Sequence, residues 1–251
     1  MFRYPLWVRI PLALAVVLTL VACATPRESS LSPASRTPAA TPRESSPLPA
    51  ATPQPERYVA IGASDTVGVG ATDPGTGSWP ARVAAKLPQG STYTNLGVSG
   101  SLAAQARSQQ LQPALDAGPT VVTIWLAVND INAGVTLTAY RDVIAGLLGE
   151  LVGRTQARVF IGNVPDLRAV PAYRNVDATG LGAQVGAYNR WIAETAAKYP
   201  TRVVVVDLFT GSADLMSTGT VAADGFHPSD GGYQLIADRF IAAMRAAGIA
   251  F

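Results

Sequence analysis

A three-layer α/β/α sandwich built on a mainly parallel five-stranded sheet is the fold class that the sequence predicts. Three observations point to it. Five short apolar runs recur between Tyr58 and Val206, each of a length suited to a strand buried on both faces. Longer stretches with apolar residues at helical spacing separate them. Each run also ends in a polar, turn-forming segment, as expected where strands leave a sheet.

The first run, Tyr58-Val59-Ala60-Ile61, stops at Gly62. Four more follow at Thr92 to Leu96, Val121 to Leu126, Val159 to Ile161 and Val203 to Val206. Helical spacing covers Trp79 to Leu87, Leu102 to Leu115, Leu137 to Leu151 and Leu181 to Tyr199, and a last helix runs from Gly232 to Ala247. Ser229 is a plausible N-cap for that last helix. Strands that alternate with helices require right-handed crossovers, which make neighbouring strands parallel and cover both faces of the sheet. In such sheets ligand chemistry collects at the C-terminal ends of the strands.

Ahead of this pattern the chain is of a different kind. Arg3 and Arg9 precede an apolar run from Ile10 to Val21, which ends in Leu20-Val21-Ala22-Cys23. A basic start, a short apolar segment and small residues form an export signal, too short for a comfortable membrane span. Leu-Val-Ala-Cys resembles the lipobox of bacterial lipoproteins, which implies diacylation of Cys23 and anchoring of the exported protein to the cell envelope. Residues 24–56 are rich in Pro, Ser, Thr and Ala and repeat the hexamer Thr25 to Ser30 at Thr41 to Ser46. Such a segment cannot bury enough apolar surface to offset its ordering entropy, so it reads as a tether. The expected organisation is therefore signal and lipobox at 1–23, tether at 24–56 and one domain at 57–251.

Of 19 Lys and Arg residues, 14 lie in 57–251, as do 14 of the 17 Asp and Glu. The domain is formally neutral and lacks the basic excess of a nucleic-acid-binding surface. The lone cysteine and lone histidine, Cys23 and His227, exclude the usual zinc sets. Gly68-Val69-Gly70 starts like a dinucleotide loop, but the sixth position of that fingerprint is Asp73, and no Gly-Lys-Ser/Thr phosphate loop is present. No cofactor or metal is expected.

His227 lies in Asp224-Gly225-Phe226-His227-Pro228. Imidazole is the side chain whose unperturbed pKa lies closest to physiological pH, and a carboxylate can hold one ring nitrogen protonated while the other accepts a proton. The strand exits offer partners: Gly62-Ala63-Ser64-Asp65, Asn95-Leu96-Gly97-Val98-Ser99-Gly100, Ala127-Val128-Asn129-Asp130 and Gly162-Asn163-Val164-Pro165-Asp166. Each of these residue types is also ordinary in turns and caps.

Taken together, these blocks resemble the SGNH hydrolase superfamily, the GDSL-like esterases and lipases, over essentially all of 57–251. The resemblance implies a flavodoxin-like SGNH hydrolase fold. It also implies that Ser64 is the nucleophile, His227 the base and Asp224 its orienting acid. The oxyanion would be held by the backbone N–H groups of Ser64 and Gly100 and by the Asn129 side chain. The expected substrate is a small ester, a lipid or an acetylated glycan. Two readings compete with the esterase: a non-catalytic envelope protein that binds glycan or lipid in the same cleft, and an acyltransferase.

The chain departs from the family pattern in two blocks. Gly-Asp-Ser-Leu stands here as Gly-Ala-Ser-Asp, which removes an aspartate that often supports the nucleophile block, and Asp65 is not expected to replace it. In the third block Ala127 stands where a glycine is usual, which suggests a slightly tighter or differently shaped wall. By resemblance, the loops Val69 to Trp79 and Pro165 to Asp177 surround an acyl pocket, although Trp79 equally suits packing a helix onto the sheet.

Overall fold

The computed structural model describes residues 53–251. Cys23, the export signal and almost all of the tether lie outside the described residues. Strand β1 (Arg57–Gly62) is followed by three short helices, α1 (Ser64–Val67), α2 (Pro74–Gly77) and α3 (Trp79–Ala84). Next come β2 (Thr92–Asn95), α4 (Ala103–Gln109), α5 (Leu111–Asp116), β3 (Val121–Trp125), α6 (Val128–Asn132) and α7 (Leu137–Arg154). The chain then forms β4 (Arg158–Gly162), α8 (Ala178–Ala196), β5 (Val203–Val206), α9 (Ser212–Leu215) and α10 (Asp230–Ala246), with two 3-10 turns between β4 and α8.

The five strands form one sheet in the order β2-β1-β3-β4-β5, and every pairing is parallel. The predicted sandwich is present, and its sheet is wholly parallel. The pleat sends successive residues to opposite faces. Val59, Ile61, Val122, Ile124, Val159 and Ile161 therefore pack with α4, α5, α7 and α8, while Tyr58, Ala60, Val121, Phe160 and Val206 pack with α3 and α10. Both faces are covered, which explains why the strands are apolar throughout. Trp79 belongs to this core: it is fully buried and stacks on Phe240 with ring centroids 4.2 Å apart. Among the described residues no helix is long and apolar enough to cross a membrane.

The strand order reverses between β1 and β3, since the chain leaves β1 for one edge and returns to its other side. A crevice forms above the sheet at such a switch point. The largest departure from the expected elements lies beside it. The single helix expected over Leu102 to Leu115 is two, broken at Gln110, whose φ is −105°. Pro113 accounts for the break, because it has no N–H to donate to the carbonyl of Gln109 and its ring would collide with that carbonyl. Other helices shift at their ends. Asp177 caps α8 by accepting from the N–H groups of Thr179 and Gly180, both at 3.0 Å, so the helix starts at Ala178, ahead of the expected Leu181. Ser229 caps α10 as expected, accepting from Gly232 N–H at 3.4 Å.

Candidate active site

Strand β1 hands the chain to α1 through Gly62. A Cβ there would lie 2.0 Å from Thr66 Oγ1 and 2.9 Å from the Trp125 carbonyl oxygen, so only glycine fits the turn. The Gly62 N–H donates to Gln110 Oε1 at 2.9 Å, and Gln110 Nε2 donates back to the Gly62 carbonyl at 3.0 Å. The break in the predicted helix is what allows this, because Gln110 turns inward and is fully buried. Ser64 follows as the first residue of α1, 6% exposed.

At the other end of the chain, Asp224 organises its own turn. One carboxylate oxygen accepts the N–H groups of Phe226 at 2.9 Å and His227 at 3.0 Å. The other faces His227 Nδ1 at 2.5 Å. Gly225, at φ 72°, supplies the left-handed backbone that the turn needs. The second ring nitrogen, Nε2, lies 3.0 Å from Ser64 Oγ. Burial pushes the Asp224 carboxyl up, but hydrogen bonds from the His227 ring and from the two N–H groups outweigh it and hold the group below the ordinary carboxylate value. The carboxyl therefore stays ionised at neutral pH, fit to orient the ring and stabilise its cationic form.

The third block meets the second. Asn129 Nδ2 donates to the Ser101 carbonyl at 3.1 Å, and Ala63, Ser101, Ala127 and Asn129 line a small niche beside Ser64. Gly100 immediately precedes Ser101 with φ 78° and stands exposed, outside the residues that line the niche. Asp130 ties the same loops together from below, its buried carboxylate accepting the Ala103 N–H at 3.1 and 3.2 Å. Ala127 adopts φ 89°, alone among the non-glycine described residues in having a positive φ. The glycine usual at this position is thus a matter of backbone conformation, and alanine stores strain of about 1–3 kcal/mol there.

Next to Ser64 opens an apolar cleft of about 90 Å³, walled by Trp125, Val128, Leu167, Leu208, Met216 and Phe226. Pro165, Leu167 and Val170 of the predicted loop contribute to it, while none of Val69 to Trp79 does. Asp65 also lines both the cleft and the niche. Burial pushes its carboxyl up to about 6, opposed by the His227 ring and reinforced by Asp224. Solvent reaches part of this side chain, which moderates the effect. Because its folded pKa lies above the free value, ionisation of Asp65 costs the fold stability as pH rises from about 4 to about 6.

Asp166 and Asp207, the other acids at strand exits, have structural partners. Asp166 holds Arg168 at 2.6 Å. Asp207 accepts from Asn163 Nδ2 at 3.1 Å and from the backbone of Phe209 and Thr210. Among the described residues no group of three or more His, Cys, Asp or Glu side chains is placed to hold a metal ion.

Gln110 escapes the sequence reading altogether, and Asp65 is named there without a place in the cleft. Gln110 carries no motif, and only the Pro113 break, readable in principle, hints that it leaves the helix. The place of Asp65 in the cleft follows from the tight first turn of α1 and has no signal beyond its position after Ser64.

A hydroxyl, an imidazole and a carboxylate in hydrogen-bonded series, above the switch point of a parallel sheet and next to an apolar cleft, have the composition of a serine hydrolase site. The sequence profile of the GDSL-like lipase/acylhydrolase family matches residues 60–235, and the chain belongs to that family of esterases. Solved structures share its fold. An acetylxylan esterase from Geobacillus stearothermophilus superposes with a TM-score of 0.62 at 17% identity, covering 78% of this chain and 96% of that one. A family 3 carbohydrate esterase from Clostridium thermocellum gives 0.59 at 17%, covering 77% and 96%. A member of the lipolytic G-D-S-L family from Veillonella parvula gives 0.61 at 19%, covering 75% and 98%. Comparison with curated protein sequences gives no match.

Proposed function

We propose that this protein is a serine esterase that cleaves short-chain carboxylic esters through an acyl-enzyme on Ser64, held at the cell envelope by lipid on Cys23. One observation carries the reading: the series Ser64 Oγ to His227 Nε2 at 3.0 Å and His227 Nδ1 to Asp224 at 2.5 Å. Ser64 Oγ attacks the ester carbonyl carbon as its proton passes to Nε2. The oxyanion that forms is held by the Ser64 N–H, the Gly100 N–H and Asn129 Nδ2, which keeps one N–H beyond its bond to Ser101. Collapse expels the alcohol, which takes the proton from His227. Water then enters, gives its proton to the same nitrogen and releases the acid, regenerating Ser64.

The cleft favours short acyl groups. At about 90 Å³ it is small beside the roughly 300–1,000 Å³ of pockets that bury drug-sized ligands. The two carbohydrate esterases among the structural neighbours make acetylated glycans a natural class to assay. Full-length protein should release p-nitrophenol from p-nitrophenyl acetate and react covalently with a fluorophosphonate, and Ser64→Ala should lose both, with turnover down at least about 10³-fold. A folded Ser64→Ala protein that keeps turnover would overturn the assignment. The tether has a separate test: Cys23→Ser should abolish metabolic labelling by palmitate, and continued labelling would remove the lipid anchor.

A further inference from the structure

We infer that Asp65 selects esters whose acyl group carries a hydroxyl within a carbon or two of the scissile carbonyl. This rests on the esterase reading above and deepens it by naming the acyl class.

The argument starts from which polar groups in the cleft are already satisfied. The wall is apolar apart from Asp65, Ser212, Thr220 and Arg239. Ser212 Oγ donates to the Phe209 carbonyl at 2.8 Å and accepts the Asp166 N–H at 2.9 Å. Thr220 Oγ1 donates to the Leu215 carbonyl at 2.5 Å and accepts the Ser217 N–H at 2.9 Å. The Arg239 guanidinium donates to the carbonyls of Asp207 at 2.8 Å and Thr210 at 2.7 Å. Asp65 differs, because among the described residues its carboxyl has no hydrogen-bond or ion-pair partner on another side chain and meets only its own backbone N–H, which leaves acceptor capacity free. It follows Ser64 directly and stands where the apolar cleft meets the niche of Asn129.

A plain alkyl chain entering the cleft would strip water from this carboxyl and return nothing, which is unfavourable. An acyl chain with a hydroxyl near the carbonyl supplies the missing partner at the right depth, since Asp65 and Ser64 are adjacent. A hydroxyl also suits both protonation states, donating to the carboxylate or accepting from the acid. An ammonium fits less well, as it would bring a second charge into an apolar site beside an imidazole that becomes cationic during turnover. Sites that hydrogen-bond a substrate hydroxyl discriminate strongly against analogues without it, because the protein group is left unpaired.

The test compares p-nitrophenyl 3-hydroxybutanoate with p-nitrophenyl butanoate at pH 8, each kcat/KM divided by that ester's alkaline hydrolysis rate. The full-length wild type should prefer the hydroxy ester by about tenfold or more. In Asp65→Leu the preference should vanish, with butanoate cleaved faster and the hydroxy ester more slowly, and Asp65→Ala should lose it too if the larger side chain disturbs packing. Equal normalised rates in the wild type, or a preference that survives in either folded variant, would overturn the inference. Failure of the parent reading looks different: neither ester is cleaved and no fluorophosphonate is taken up.

Discussion

The two halves of the site are held in opposite ways. The Ser64 side is assembled from parts far apart in the chain: Gln110 grips Gly62 across 48 residues, Asn129 reaches Ser101 across 28, and Asp130 reaches Ala103 across 27. Gly62, Gln110, Ser101 and Asp130 are all buried. The His227 side is held mostly by neighbours, every bond of Asp224 falling within three residues, with one distant tie from the Ala172 N–H to the Gly225 carbonyl at 2.9 Å. Asp224 has its side chain 45% exposed and His227 16%. A buried, non-local construction ties site geometry to the stability of the whole fold. A local, exposed turn can be altered with little effect on the core.

Substitutions on the two sides should therefore part activity from stability. The largest effect on rate is expected on the local side: Asp224→Asn should lower kcat by on the order of 10⁴, the size of that exchange in a serine-protease triad, while the melting temperature falls by only a few degrees, because the amide oxygen can still accept the N–H groups of Phe226 and His227. A fall in melting temperature like that of a core mutant would break the contrast. On the non-local side, Gln110→Ala leaves the buried Gly62 N–H unpaired, while the Gly62 carbonyl keeps the Val98 N–H at 3.2 Å. It should cost about 2 kcal/mol, or roughly 4–8 °C, with a smaller loss of kcat. Calorimetry and steady-state kinetics on the same preparations decide it, and an unchanged melting temperature would show that the Gln110 grip is dispensable. Ala127→Gly should show the smallest effect, stabilising by about 0.5–1 kcal/mol as relief of strain exceeds the added chain entropy. If it destabilises instead, the positive φ at Ala127 carries no strain.

The same division explains what the sequence could tell. Five strands could be read from Tyr58 to Val206 because burial on both faces leaves continuous apolar runs, and their parallel pairing follows from the helices between them, whereas the strand order is implied only by the family resemblance. The Asp224 to Pro228 turn was readable because its acid, glycine and histidine are adjacent. Gln110 was not, since its partner lies 48 residues away and nothing about a glutamine in a helical stretch announces that the helix will break. Asp65 could be named but not aimed, because the direction of its side chain depends on the tight turn of α1. Ala127 is visible as an exchange for glycine that makes the wall tighter or differently shaped, but the positive φ behind that exchange appears only in the structure. Trp79 was ambiguous between pocket and core until its stacking on Phe240 placed it in the core.

The turn that fixes Asp224 to His227 bears on the temperature at which the protein can work. Because acid and base are locked to each other locally, warming that loosens the segment after β5 would carry both away together. Ser64 would stay where Gln110 holds its turn. Activity would then fade while the sheet is still intact and return on cooling as fast as a loop can settle, far faster than a domain refolds. The upper working temperature would be set by how firmly one surface loop docks, and a larger core would not raise it.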